Sequence, residues 1–327
     1  MRAFRIAVVP VAAIALTLSA CGSSSSDAGS EGGETGGSSG GSGSGSKTIG
    51  LAVANLQADF FNQIRQSVED AAEAEGVDVT VADAGGDADR QVSQIQDMVT
   101  QQVDAIIYIP AGATAATVPV RTAASAGIPV VTVDRNPEGA PGDTFIATDS
   151  VAAAKALGEW VVEATGGTGE LGVIQGQIGT TPELARDEGF KAGIEGSDIT
   201  EVARQASDAW AQDEGFQIAQ DMLQAHPEIN IFFGRADALA LGAAQAARTA
   251  GRDDMTIVGF DGDVAGLEAV RDGVLAATVT QPTQAMGKLA LESAVQLADG
   301  EELPAEQLQE GVVTTPENVE GFITEHP

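Results

Sequence analysis

The sequence predicts an α/β protein built as two doubly wound, parallel-sheet lobes. Three observations carry this expectation. Short β-branched runs alternate with helical patterns from Thr48 onward, the alternation restarts after Asp149, and the restart leaves a repeat in the chain. Strands that alternate with helices imply parallel pairing through crossover helices. With 327 residues and 43% hydrophobic content, the chain has enough apolar material for a sizeable core.

The chain opens MRAFRIAVVPVAAIALTLSAC: a basic start, an apolar stretch too short to span a bilayer comfortably, and small residues before Cys21. Residues 1–20 therefore read as a secretory signal peptide. LSAC, residues 18–21, resembles the lipobox of bacterial lipoproteins, which implies cleavage before Cys21 and lipid on its thiol. Cys21 is also the only cysteine, which excludes an internal disulfide, a Cys-based metal site and a Cys nucleophile. Residues 21–46 continue as a Gly/Ser tether with almost nothing apolar to bury. Its root-mean-square reach is on the order of 25–30 Å.

In the first half the expected strands are TIGLAV (48–53), VDVTVAD (77–83), DAIIYI (104–109) and IPVVTV (128–133), with helices from Phe60 to about Glu75, near 88–101 and near 113–126. Ile64, Val68, Ala71 and Ala72 share one face of the first helix, Gly76 stops it, and Asp59 is placed as its N-cap. In the second half the expected strands are LGVIQ (171–175), ITEVAR (199–204), INIFF (229–233), MTIVGF (255–260) and LAATVT (275–280).

The repeat pairs RTAASAGIPVVTVD (121–134) with RTAGRDDMTIVGFD (248–261). Each runs from Arg-Thr-Ala through a Gly-containing turn and a strand to an aspartate, and the same offset carries Ile109 onto Ala236. Asp134 and Asp261 are then counterparts at the carboxyl ends of parallel strands, where open α/β sheets bind ligands.

Some motifs fail on context. GSGSGSKT (41–48) lacks the glycine before Lys47 and precedes a strand, and GTGELG (167–172) precedes its strand instead of following one, so neither reads as a nucleotide loop. DAGGDAD (83–89) lacks calcium-loop spacing and reads as a turn with a helix cap. The formal charge of −32 repels phosphate backbones and anionic lipid, which argues against a nucleic-acid partner. No cofactor and no metal site is expected.

From about Lys47 to about Val313 the chain resembles the type I periplasmic binding proteins of ABC sugar importers, above all the ribose-binding proteins. The landmarks are DFF (59–61), VDR (133–135), ARDEGF (185–190), ALALGA (238–243), VGFDG (258–262) and LAATVTQP (275–282). The resemblance implies three hinge segments near 148–149, 281–282 and 310–313. Residues 47–148 with 281–312 then form the N-terminal lobe, and 149–280 with 313–327 the C-terminal lobe. It further implies a monomer that closes on a sugar or polyol and is recognised by membrane permease subunits, held to the outer face of the cell membrane by the Cys21 lipid, with no catalysis.

Carried over singly, the ligand-contacting positions match at Phe60, Phe61, Asp134, Arg135, Arg186, Asp261 and Gln281, with Trp210 joining through a one-residue insertion in SDAWAQ. A hydroxyl both donates and accepts, so an acceptor-only carboxylate beside a donor-only guanidinium satisfies it from two sides. Duller roles exist for each: core of the first helix for the two phenylalanines, a strand-end ion pair for Asp134 and Arg135, a solvated helix charge for Arg186, a lid on the core for Trp210. Where ribose-binding relatives carry small polar or amide side chains, this chain has Ala54, Ala58, Ile109 and Ala236, so a ligand other than ribose is expected, with Asn55 and Gln57 as nearby compensation.

Other functions remain at this point. A secreted carbohydrate enzyme would use Asp134 and Asp261 as paired carboxylates. A co-receptor for chemotaxis or a sensor kinase would bind the same ligand for signalling. A repressor of the LacI type would share the fold, but the exported N-terminus and the lack of a helix-turn-helix segment argue against it.

Overall fold

The computed structural model of the chain describes residues 46–327. The segments expected to be a signal peptide (1–20) and a lipidated tether (Cys21 up to residue 45) lie outside the described residues.

The first sheet grows by parallel crossovers from β1 (Thr48–Val53) through α1 (Asp59–Glu75), β2 (Asp78–Asp83), α2 (Ala88–Gln101), β3 (Ala105–Tyr108), α3 (Thr117–Ser125), β4 (Val130–Val133) and β5 (Thr144–Thr148). Alternation along β1 decides its two faces: Ile49, Leu51 and Val53 join the core under α1, while Ala52 faces α2 with Ile95 and Met98. α1 ends where Gly76 turns left-handed at φ 70° and returns its N–H to Ala72. α3 is shorter than the span 113–126, because Ala115 takes φ 60° and breaks its first turn.

The second sheet follows with α4 (Ser150–Thr165), β6 (Thr168–Gln175), α5 (Thr181–Ile194), β7 (Asp198–Ala206), α6 (Gln212–Ala225), β8 (Ile231–Gly234), α7 (Asp237–Thr249), β9 (Thr256–Val258) and α8 (Val264–Arg271). The chain then crosses back and forth through β10 (Thr278–Thr280), α9 (Thr283–Ala298), β11 (Glu306–Gln309), β12 (Val312–Thr314) and α10 (Val319–Thr324). The sheet orders are β11-β5-β4-β3-β1-β2 and β7-β6-β8-β9, so the first four strands of each half are laid down in the same order. β4 and β9 are topological counterparts, which puts Asp134 and Asp261 at equivalent strand ends, as the repeat requires.

β10 extends the second sheet through parallel bridges Val258–Ala277 and Asp261–Thr280 and pairs antiparallel with β12. α9 packs on α1, and β11 pairs with β5, so both belong with the first sheet. The chain therefore passes between sheets at 148–150, 280–283 and 309–312. In the second half α4 and α5 touch through glycines: a Cβ on Gly189 would stand 2.2 Å from the Val151 carbonyl oxygen. β5, β11 and β12 were not legible as strands. β11 reads EQLQ, a polar edge strand without the β-branched signature.

DAGGDAD forms the expected turn and cap: Asp83 accepts from Gly85 N–H at 2.8 Å, and Asp87 caps α2 by accepting from Asp89 and Arg90 N–H. Asp59 is not the N-cap of α1. Ala58 holds that position, and the Asp59 side chain instead accepts from Gln63 Nε2 at 2.9 Å and from Val264 N–H of the other lobe at 3.4 Å. Among the described residues no helix is long and apolar enough to cross a membrane.

Candidate ligand-binding site

The carboxyl ends of both sheets face one cavity of about 610 Å³, within the size range of small-molecule sites. Phe60, Phe61, Asp134 and Arg135 reach it from the first lobe; Arg186, Trp210 and Asp261 reach it from the second. Gln281 does not line it. It stands behind Asp261 and donates from Nε2 to Asp261 Oδ1 at 2.8 Å.

The lobes meet around the cavity. Asn136 N–H donates to Thr181 Oγ1 at 2.9 Å and Thr181 returns its hydroxyl to the Asn136 carbonyl at 3.2 Å, tying the loop after Arg135 to the start of the helix that carries Arg186. The cavity groups are correspondingly dry: Asp134 is 6%, Arg135 7% and Arg186 3% exposed.

Each lobe contributes one aspartate–arginine pair. Arg135 Nε lies 3.4 Å from Asp134 Oδ2, close enough for charge but too misaligned for a hydrogen bond, while its Nη1 donates to the Pro110 carbonyl at 3.0 Å. Arg186 Nη2 lies 3.1 Å from Asp261 Oδ1. Aromatic faces cover both guanidinium groups: Arg135 lies 5.3 Å from the Phe61 centroid and 5.8 Å from Trp210, and Arg186 4.0 Å from Phe260 and 5.6 Å from Trp210.

Burial sets the electrostatics. It raises the Asp134 carboxyl above the usual carboxylate range against the pull of Arg135 and Arg186, and lowers the Arg135 guanidinium. Asp261 is pushed up to about 7 by burial, against Arg186 and with the help of Asp263 and Asp134. Such shifts mark charged groups that have lost water without full replacement. Of five buried side-chain polar atoms without a partner among the described residues, Arg135 Nε, Arg186 Nε and Trp210 Nε1 belong to the cavity wall.

The backbone is strained at the same places. Of five non-glycine residues with positive φ among the described residues, three are Asp134 at 62°, Trp210 at 58° and Asp261 at 129°. Strain of this kind persists where surrounding structure enforces it and collects at functional sites.

The enforcing residues were invisible to sequence reasoning. Gln91, 1% exposed, donates to the Ile109 carbonyl at 2.8 Å and accepts from Ala111 N–H at 2.7 Å, fixing the loop whose Pro110 carbonyl holds Arg135. Asp237 is fully buried and accepts from Gly262 N–H at 2.8 Å and Asp263 N–H at 3.1 Å, which clamps the loop after Asp261. Burial, with Asp263 and Asp261 nearby, holds its carboxyl well above the usual range. Arg235 donates to the Glu183 carbonyl at 3.0 Å and pairs with Asp187 at 2.5 Å, bracketing Arg186 on α5, while its own carbonyl accepts from Arg186 Nη1. Glu214 accepts from Asp208 N–H at 2.9 Å and Ala209 N–H at 3.0 Å, which shapes the turn into Trp210.

Of the positions where apolar residues were expected in the cavity, Ala54, Ala58 and Ala236 line it. Ile109 does not. It is 0% exposed and packed in the core of the first lobe, because β3 continues inward and turns its side chain toward α1.

The periplasmic binding protein domain family matches residues 49–302, most of the described chain. The chain belongs to that family. This periplasmic binding protein is 32% identical over 256 residues to the ribose import binding protein of Bacillus subtilis, covering 78% of this chain and 83% of that one. It is 28% identical over 316 residues to a xylitol-binding protein of Mycolicibacterium smegmatis, covering 96% and 86%. Among solved structures, an ABC transporter solute binding protein from Bacillus halodurans with bound myo-inositol superposes with a TM-score of 0.81 at 28% identity, covering 86% of this chain and 99% of that chain. These relatives are solute-binding proteins rather than enzymes, and proteins of this family are extracytoplasmic.

Proposed function

We propose that this protein captures a sugar or polyol between its two lobes and delivers it to the permease of an ABC importer, without acting chemically on it. One observation carries the reading: two aspartate–arginine pairs, one from each lobe, line a single cavity together with Phe60, Phe61 and Trp210. Carboxylates accept and guanidinium groups donate, so the four charged groups together satisfy hydroxyls of either sense. Aromatic faces suit the C–H surfaces of a sugar or cyclitol ring. Relatives named for ribose and xylitol, and a structural neighbour holding myo-inositol, support a polyhydroxylated ligand.

In this reading Phe60, Phe61, Asp134, Arg135, Arg186, Trp210 and Asp261 contact the ligand, and Gln281 holds Asp261 in place. Residues 47–148 with 281–312 and residues 149–280 with 313–327 are the two moving lobes. The enzyme alternative loses ground because each aspartate is engaged by an arginine instead of being left as a free acid or base. The ligand is one other than ribose, met by the small apolar walls at Ala54, Ala58 and Ala236. A lipid on Cys21 holds the monomer at the membrane through its tether.

The test is a thermal-shift screen over pentoses, hexoses and polyols followed by calorimetry. Stabilisation by at least one class supports the reading, and no response to any of them sinks it.

A further inference from the structure

The loop Asp261–Val264 is gripped from both ends by a closed circuit of hydrogen bonds that crosses the lobe boundary twice. At one end the Val264 N–H donates to Asp59 Oδ2 of α1 at 3.4 Å. The same Oδ2 accepts from Gln63 Nε2 at 2.9 Å. Gln63 Oε1 lies 2.7 Å from the Thr283 hydroxyl at the start of α9, and that hydroxyl lies 3.3 Å from His326 Nδ1. His326 Nε2 closes the circuit at 2.8 Å from the Gly262 carbonyl. His326 follows α10, which packs on α8 in the second lobe, whereas α1 and α9 belong to the first.

The direction of every bond in this circuit follows from its two ends. Asp59 Oδ2 already accepts from a backbone N–H, so Gln63 must turn its NH₂ toward it and its carbonyl toward Thr283. A carbonyl only accepts, so the single hydroxyl proton of Thr283 is committed to Gln63. His326 Nδ1 must then carry a proton to bond Thr283. At the other end the Gly262 carbonyl also only accepts, so Nε2 must carry a proton as well. A neutral imidazole has one N–H, and the circuit needs two.

We infer that His326 is a positioning residue of the binding site, acting as an imidazolium that fastens the Asp261–Val264 loop to the opposite lobe. The surrounding charges fit a cation. Asp263 acts on it from the loop, and Glu325 shares its surroundings after α10. The first turn of α9 brings only Thr283 and Gln284, and Lys288 lies further along beside Glu292. Asp59 and Asp263 have no Lys or Arg ion-pair partner among the described residues. Burial and Asp59 push the Asp263 carboxyl up, while hydrogen bonds from Gly266 and the charge of His326 act against them. The backbone repeats the strap beside the ring, with Gln284 N–H donating to the Pro327 carbonyl at 3.0 Å.

The decisive measurement is hydrogen exchange of the ligand-free full chain over residues 261–266, corrected for intrinsic rates, at about pH 6 and about pH 8 on either side of histidine titration. Wild type is expected to be about tenfold more protected at the lower pH, the scale of one charge-assisted hydrogen bond. The comparison is made in an Asp261→Asn background, because the Asp261 carboxyl of the same loop is pushed up to about 7; there His326→Gln removes the pH step, and so does Thr283→Val, which keeps the histidine but cuts its link to α1. Equal protection at both pH values, or a step that survives in either variant, overturns the inference. A second arm measures calorimetric affinity for xylitol and D-ribose at both pH values. This arm rests on the function proposed above; a preserved exchange step with neither compound bound leaves the clasp standing and removes the ligand reading instead.

Discussion

Gly176 lies directly beneath the indole of Trp210: a Cβ on the glycine would stand 1.9 Å from Cη2 of the ring. The glycine is itself fixed, because its N–H donates to Glu183 Oε2 at 2.9 Å, and Glu183 also supports Arg235 behind Arg186. One missing side chain thus lets an aromatic wall lie flat beside the two guanidinium groups.

Gly176→Ala is therefore expected to displace Trp210 from the cavity while the second sheet survives. Overpacking of this kind disturbs a site by about 1–3 kcal/mol. Calorimetry with a ligand from the screen should show roughly tenfold or greater loss of affinity. Tryptophan emission reports the move, since only Trp160 and Trp210 contribute. Unchanged affinity with unchanged emission would show that the indole has room elsewhere.

Asp261→Ala removes ligand binding and leaves the fold intact. The carboxylate holds both Arg186 and Gln281, and its loss leaves a buried guanidinium and the ligand's hydroxyl unpaired, at roughly 2–5 kcal/mol for a broken buried charge contact. Wild-type affinity in the variant would place Asp261 outside the site.

Stability of the ligand-free protein should depend on pH through the same residue. The folded Asp261 carboxyl titrates near 7, above its ordinary value of 3.8, so the folded state holds a proton that the unfolded state has released. Its contribution is fully present below the ordinary value and is lost as pH rises through about 7. Scanning calorimetry between these limits should show a melting temperature that falls with rising pH, with a shallower fall in Asp261→Asn. Parallel slopes in the two proteins would count against the raised carboxyl.

Ribose should not be the preferred ligand. Ala58 and Ala236 stand on the cavity wall at positions where the resemblance to ribose-binding proteins implies hydrogen-bonding side chains in those relatives, while Ile109, buried in the core, no longer enters the comparison. Two unmet hydroxyls at about 1–3 kcal/mol each give roughly 2–6 kcal/mol as an upper bound, softened by bridging water. Titrations of ribose, xylitol, erythritol, inositol and a deoxy or methyl sugar decide the matter. Ribose binding tighter than all the others would refute the expectation.

Cys21→Ser should release the protein from the membrane fraction of a lipoprotein-processing host. Fractionation followed by blotting checks it. Retention at the membrane with the signal removed would exclude the lipid as anchor.

The sequence by itself determined the class of the fold and much of the wall of the cavity. Alternating β-branched runs and amphipathic helices leave little freedom beyond parallel, doubly wound sheets, and the repeat ending at Asp134 and Asp261 placed two aspartates at equivalent strand ends. Phe60, Phe61, Arg135, Arg186 and Trp210 were legible only through the resemblance to ribose-binding proteins, whose short motifs carry these positions. What only the tertiary structure decided is which groups hold these in place. Gln91, Asp237, Arg235 and His326 act on groups 18 to 64 residues away, and Glu214 acts on nearby backbone N–H groups that carry no signature in the sequence. The placement of Gln281 behind Asp261, of Ile109 in the core and of Asp59 across the cleft follows from strand register and lobe closure. These are properties of packing between distant segments, and periodicity along one segment does not contain them.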